Sequence, residues 1–177
     1  MVNRSTENRK RKPLPEGKFD VISADPPWRY DLSLRGSPDE HYETLTTKDI
    51  NKLEIPANID AVLFLWATNP KLKDALEVMA AWGFTYKTNM VWVKDRIGTG
   101  YYVRGQHELL LIGTKGKVGV PEEANRVSSV FNATRNEHSQ KPEIVYDIIE
   151  KMYPNRKYLE LFARNKREGW CSWGNEI

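Results

Sequence analysis

A single cysteine, Cys171, stands in a chain of 177 residues, so no internal disulfide can form and cysteine-only zinc sites are excluded. No apolar run reaches the roughly 18 residues that a membrane-spanning helix needs, and no secretory leader is visible, so the expected location is the cytoplasm. The three histidines, His41, His107 and His138, fall in separate segments without ligand spacing, and no metal is expected. No G-x-G-x-x-G fingerprint follows a strand near the start, which argues against a nicotinamide oxidoreductase.

The composition is that of a folded chain: 40% hydrophobic, 11% aromatic, with six tryptophans. Its length suits one domain with a real core, placed at residues 19–177. Residues 1–18 form a separate basic arm, in which Arg4, Arg9, Lys10, Arg11, Lys12 and Lys18 stand against Glu7 and Glu16, while the whole chain sums to only +3. Such an arm is either a nucleic-acid contact that adds salt-sensitive affinity or a solvated terminus.

Strand-like and helix-like segments alternate. "FDVISA" (19–24) and "AVLFLWA" (61–67) read as buried strands. "TYKTNMVWVK" (85–94) and "HELLLIGTKG" (107–116) read as two more, joined by the Gly-rich "GTGYYVRG". "KYLELFAR" and "GWCSWGNE" close the series. "PKLKDALEVMAAWG" opens on proline and ends on glycine, with Leu72, Ala75, Leu76, Met79 and Ala80 on one helical face. In "KPEIVYDIIEKMY" the inner stripe is Ile144, Val145, Ile148, Ile149 and Met152. The alternation predicts an α/β fold with a doubly wound, mostly parallel sheet, whose ligands bind beyond the carboxyl ends of the strands.

At such an end stands "ADPPWRY". Prolines at 26 and 27 hold the backbone extended and remove two donors, leaving the carbonyls before and between them to accept. Asp25 and the Pro26 carbonyl then face a group that carries two hydrogens, such as the exocyclic amine of adenine or cytosine, with Pro27 and Trp28 as a plate for the flat base. Two acceptors pulling on that amine free its delocalised lone pair for attack on an electrophilic methyl group. Trp66 and Trp82 read as packing.

Asp25-Pro26-Pro27-Trp28 resembles the amino-methyltransferase signature in its D-P-P-W form. With it, in order, stand "HYETLT", "LFLWAT", "WGF" before "VWVK", "HELLLIGTKG", "HSQKPE", "LELFAR" and "WGNE". Together they resemble, from about Phe19 to Asn175, the family of the catalytic subunit of the eukaryotic messenger-RNA adenine methylase and its bacterial and phage relatives. The resemblance implies a Rossmann-like methyltransferase sheet in permuted motif order, with S-adenosylmethionine as cofactor. It implies that Asp25, Pro26, Pro27 and Trp28 are catalytic and that Trp28, Tyr42 and Glu108 bind substrate. It places Asp25, Lys141, Glu160, Phe162, Arg164, Asn175 and Glu176 about the cofactor, with Lys141 meeting its carboxylate and Arg164 and Asn175 its ribose. Between Arg164 and Trp170 the chain is shorter than in the eukaryotic enzyme, so cofactor contacts from that loop are not carried over.

The activity implied is N6 methylation of adenine in DNA, on a flipped or single-stranded base. An RNA substrate is the first alternative and a non-catalytic nucleic-acid-binding subunit the second. Sequence choice falls to the loops 29–48, 95–106 and 117–137, which carry Arg29, Arg35, Arg96, Arg104, Lys117, Arg126 and Arg135. A homodimer or partner subunit is a further expectation, because no separate recognition domain is visible.

Overall fold

In the computed structural model, residues 12–30, 44–135 and 140–177 are described. Seven strands form one sheet: β1 (Phe19–Ala24), β2 (Ala57–Ala67), β3 (Thr85–Lys94), β4 (His107–Lys115), β5 (Val130–Ala133), β6 (Tyr158–Leu161) and β7 (Trp170–Trp173). Among the described residues the α-helices are α1 (Thr47–Asn51), α2 (Leu72–Ala81) and α3 (Ile144–Met152). The strand order is β5-β3-β4-β2-β1-β6-β7. Four pairings are parallel, and only β4 runs against its neighbours β2 and β3.

Strand β1, early in sequence, lies between β2 and the late β6. The chain first moves to one side of β1 and returns much later on the other, so the carboxyl end of β1 is a switch point where a crevice opens. The permuted order expected from the late position of "YLELFAR" is thus the observed topology. Because β4 is antiparallel, its amino end, with Glu108 as second residue, reaches the same edge as the carboxyl ends of β1, β2, β3 and β6.

The sheet is covered on both faces. Odd residues of β2 (Ala61, Leu63, Leu65, Ala67) join a core with Ile50 and with Ala75, Val78 and Met79 of α2. Even residues (Val62, Phe64, Trp66) join a second core with Val145 and Ile149 of α3. That alternation is the pleat of a strand buried on both sides.

The helical stripes differ from the expected ones. Helix α2 buries Ala75, Val78 and Met79, followed by Trp82, whereas Leu72 and Leu76 are each 37% exposed and Ala80 is exposed. The spacing 75, 78, 79, 82 is a helical face set by Trp82, whose indole N–H donates to the Ile50 carbonyl at 3.0 Å and fixes the rotation of the helix. In α3, Val145 and Ile149 are buried, but Ile144, at the helix start, is 44% exposed. Two short elements are not read from the sequence pattern: α1, capped by the Thr46 side chain on the Asp49 N–H at 3.2 Å, and β5, in the segment 117–137 read as a loop. The expected strand at 157–164 stops at Leu161, and Phe162 turns into the left-handed region at φ 64°.

Part of the basic arm lies within the described residues and packs on the domain. The Trp173 indole N–H reaches the carbonyls of Lys12 and Pro13 at 3.1 and 3.0 Å, and Leu14 is partly buried against the core.

Candidate active site

Asp25 directly follows β1, and its N–H still donates to the Leu161 carbonyl of β6. The next two residues have no N–H, so the ladder ends there and the chain leaves the sheet. It is then held: the Pro27 carbonyl accepts from Leu45 N–H at 2.8 Å, and Arg29 N–H donates to the Leu45 carbonyl at 3.0 Å. The corner is therefore rigid at the point where Asp25 projects.

Around it lies a cavity of about 90 Å³ lined by Asp25, Pro26, Pro27, Trp28, Tyr30, Trp66, Ala67, Thr68, Glu108, Lys141 and Arg164. The sequence-derived site is thus largely gathered in one place. Two details of the D-P-P-W reading change. The Pro26 carbonyl is already engaged, accepting from Trp28 N–H at 2.8 Å, so it offers a ligand its second lone pair only. Trp28 is only 5% exposed, belongs to the core, and donates its indole N–H to the Trp66 carbonyl at 3.2 Å. It gives the cavity an edge of wall more than a free plate.

Charge in the cavity is arranged as an alternating series. Lys141 Nζ lies 2.7 Å from Asp25 Oδ2 and 3.4 Å from Glu108 Oε2, and Glu108 Oε1 lies 2.5 Å from Lys94 Nζ. Burial works against ionisation of Asp25 and outweighs the pull of Lys141, so its pKa sits above the ordinary carboxylate value. Burial acts on Glu108 in the same sense, but Lys141 and Lys94 together overcome it and its pKa is lowered. Burial would lower Lys141 too, yet Asp25 and Glu108 raise it. The neighbours explain the difference: Glu108 pairs with Lys141 and Lys94, whereas Asp25 pairs with the shared Lys141 and feels Arg164 more weakly. Asp25 is the more basic carboxylate of the pair.

Lys94 and Trp66 were not singled out by sequence as site residues. Lys94 is the last residue of β3, and its ammonium stands 4.9 Å from the Trp92 ring centroid. Trp66, read as packing, lines the cavity with Lys141 Nζ 5.4 Å from its ring centroid. Tyr30, hydrogen-bonded to Thr68 at 2.6 Å between hydroxyl oxygens, completes the wall. The available signal was positional: polar residues at strand ends that the antiparallel β3–β4 pairing brings to one edge.

The residues proposed around the cofactor divide. Arg164 lines the cavity, 3.6 Å from Glu176 Oε1, while Asn175 and Glu176 are exposed beyond it. Phe162 does not line the cavity, because its left-handed turn directs the ring edge-on to Trp173 at 5.5 Å. Glu160 lies one row back in β6, paired in register with Ser23 on one side and Ser172 on the other. Its Oε1 accepts from the Tyr146 hydroxyl at 2.6 Å, but Glu160 Oε2 and Ser172 Oγ are buried without a partner among the described residues. Burial, opposed by the Tyr146 hydrogen bond, pushes Glu160 up to about 7. Two unpaired polar atoms in one buried row are a place for a ligand's hydroxyls. Tyr42 lies outside the described residues.

Glu160 makes a pH prediction. Its folded pKa exceeds the unfolded value of 4.5, so the folded chain binds the extra proton and loses stability as pH rises from there to about 7. Glu160→Gln removes that loss. Its melting temperature relative to wild type is expected to rise steadily between pH 5 and pH 8; a pH-independent difference would show that Glu160 titrates normally.

Gly174, of "WGNE", has a packing role. A Cβ there would stand 2.1 Å from the Ala163 carbonyl oxygen and 2.8 Å from its nitrogen, both backbone atoms. Gly174→Ala must push the 162–164 turn, and with it Arg164, so it is expected to cost about 1–3 kcal/mol. Chemical denaturation measures this, and an unchanged midpoint would show that the turn yields freely.

The MT-A70 family profile matches residues 19–176. The chain is similar to "Type II methyltransferase M.MunI" of Mycoplasma sp, 38% identical over 186 residues, covering 93% of this chain and 80% of that protein. It is also similar to "N(6)-adenosine-methyltransferase catalytic subunit METTL3" of Homo sapiens, 33% identical over 174 residues, 91% of this chain and 28% of that protein. A third relative is "Probable N(6)-adenosine-methyltransferase MT-A70-like" of Oryza sativa subsp. japonica, 34% identical over 172 residues, 91% of this chain and 23% of that protein. The chain therefore spans most of the mycoplasmal relative but only about a quarter of the human and rice ones.

Proposed function

This chain belongs to the MT-A70 family, and from that premise we propose that it transfers a methyl group from S-adenosylmethionine to the N6 amine of adenine in DNA, with the base flipped or single-stranded. The observation that carries the reading is the locked corner: Asp25 in the cavity wall, held at Oδ2 by Lys141 with Oδ1 left for a ligand.

The residues present fit the cofactor. Lys141 puts a positive charge in the cavity wall, where it would meet the methionine carboxylate while pairing with Asp25 and Glu108. Glu160 Oε2 and Ser172 Oγ are buried partners for ribose hydroxyls, with Arg164 beside the cavity. When bound, S-adenosylmethionine supplies the sulfonium methyl, and its sulfur keeps the electron pair as the new C–N bond forms. Asp25 Oδ1 and the second lone pair of the Pro26 carbonyl accept from the amine and hold its nitrogen pyramidal. The nitrogen then carries one proton too many, and Asp25, the more basic carboxylate, takes it before release to solvent. Lys141 keeps the site's charge balanced throughout. A paired adenine has its amine engaged, so the base must leave its stack to reach this corner.

DNA is supported by the chain's match to most of the length of a type II methyltransferase. The likeness to proteins named N(6)-adenosine-methyltransferases favours RNA as the second reading. The test is incubation with methyl-tritiated cofactor and matched DNA and RNA oligomers, single- and double-stranded, followed by nucleoside analysis. Labelled N6-methyldeoxyadenosine is expected; label in N6-methyladenosine alone would transfer the activity to RNA, and label in neither nucleoside would overturn both readings.

A further inference from the structure

The connection from β3 to β4, residues 95–106, leaves the sheet at the cavity's edge, between Lys94 and Glu108. Its foot is closed on itself. Gly98 N–H donates to the Gly105 carbonyl at 2.7 Å, Gly105 N–H to the Thr99 carbonyl at 3.0 Å, and Arg104 Nε to the Gly98 carbonyl at 2.6 Å. Side chains are excluded there: a Cβ on Gly98 would lie 2.8 Å from the Gly105 carbonyl oxygen, and one on Gly100, at φ +155°, 2.0 Å from that of Val103.

What this staple holds out is apolar. Tyr101, Tyr102 and Val103 are 78%, 100% and 75% exposed. One exposed ring is ordinary, but two adjacent rings on a hydrogen-bonded tip beside a charged cavity call for an occupant. The surrounding charge identifies its chemistry: Arg96 and Arg104 belong to the same loop and Arg135 reaches its first residue, against the single carboxylate of Asp95. Rings that offer flat faces, set among guanidiniums, match a nucleic-acid strand, whose bases stack while its phosphates meet positive charge.

We infer that this finger stacks on a nucleobase flanking the target adenine, so positioning the strand from which that adenine enters the cavity. The inference rests on the reading of the cavity as an adenine methyltransferase site. Stacking is indifferent to base identity and to the sugar, so the finger supplies affinity and register and leaves sequence choice to other loops.

The test is anisotropy titration of the full chain with fluorescein-labelled single-stranded DNA and RNA oligomers carrying one adenine. For Tyr101→Ala/Tyr102→Ala, affinity is expected to fall about tenfold or more, with the salt slope unchanged because the rings carry no charge. Tyr101→Phe/Tyr102→Phe keeps wild-type affinity. With abasic sites flanking the adenine, wild type is expected to lose what the alanine variant lost, and the variant to lose nothing further. Wild-type affinity in the alanine variant, an equal loss on the abasic strand, or a loss accompanied by a shallower salt slope would each overturn the stacking role. A change in sedimentation with oligomer binding intact would reassign the finger to a protein contact. If wild type methylates adenine while the variant is unaffected, only this inference fails; if wild type neither binds nor methylates, the underlying reading fails with it.

Discussion

Asp25→Asn is expected to lower the rate of methyl transfer by about 10²–10³-fold, the effect of removing one preorganised group that acts on charge developing in the transition state. The amide keeps the volume of the side chain but replaces one oxygen by a donor, so it can no longer both hold Lys141 and accept from the target amine, and it cannot take the proton. Folding should be nearly indifferent. Lys141 retains Glu108 as partner, and the amide keeps the packing of the corner. Single-turnover rates together with thermal unfolding test this: a variant that turns over like wild type would remove Asp25 from the chemistry. A variant that is inactive only because it melts early would remove the claim that the corner acts on the reaction alone.

Lys141→Met should act in the opposite sense, on the fold first. The sequence resemblance assigns Lys141 to the cofactor's carboxylate, and the structure adds that it pairs with both Asp25 and Glu108, with a side chain just 15% exposed. Removing Lys141 takes from Asp25 its ion-pair partner and leaves Glu108 with Lys94, and breaking a buried charge network in this way costs about 3–5 kcal/mol. At about 2–4 °C per kcal/mol for a chain of this length, the melting temperature is expected to fall by roughly 6–20 °C. The pH dependence carries the signature. Wild-type Lys141, its pKa raised by Asp25 and Glu108, contributes stability throughout the neutral range and loses it only as pH rises through that folded value. In the variant the two carboxylates repel and are protonated more easily, so the deficit should shrink as pH falls below neutrality. A deficit constant with pH, or none at all, would mean that the lysine is not what holds the two acids.

Much of the fold follows from local pattern. Strands β1, β3 and β4 occupy the residues that their apolar runs mark out, with at most one residue's difference at an end, α2 lies between its Pro and Gly, and α3 follows Pro142. These signals are local because they report backbone preference and burial along one element. The rotation of α2 was not legible, since it depends on where Trp82 finds a carbonyl, in a segment 32 residues away. Strand β5, at four residues, is too short to carry a period and exists because β3 offers it an edge.

For the site, the residue order named the acceptor corner: an acid, then two imino acids, then an aromatic, after a buried strand. That much is chain chemistry, because proline's missing N–H acts wherever the fold puts it. The partners of that corner were decided in three dimensions. Lys141 meets Asp25 and Glu108, and Glu108 meets Lys94, because one antiparallel strand brings its amino end to the edge where the parallel strands end. Which carboxylate is the more basic was decided by the same placement, since it depends on how many ammonium groups each acid can reach after burial. Sequence fixes the kinds of groups and their order; distance and dielectric, which set their charge, exist only once the sheet has closed.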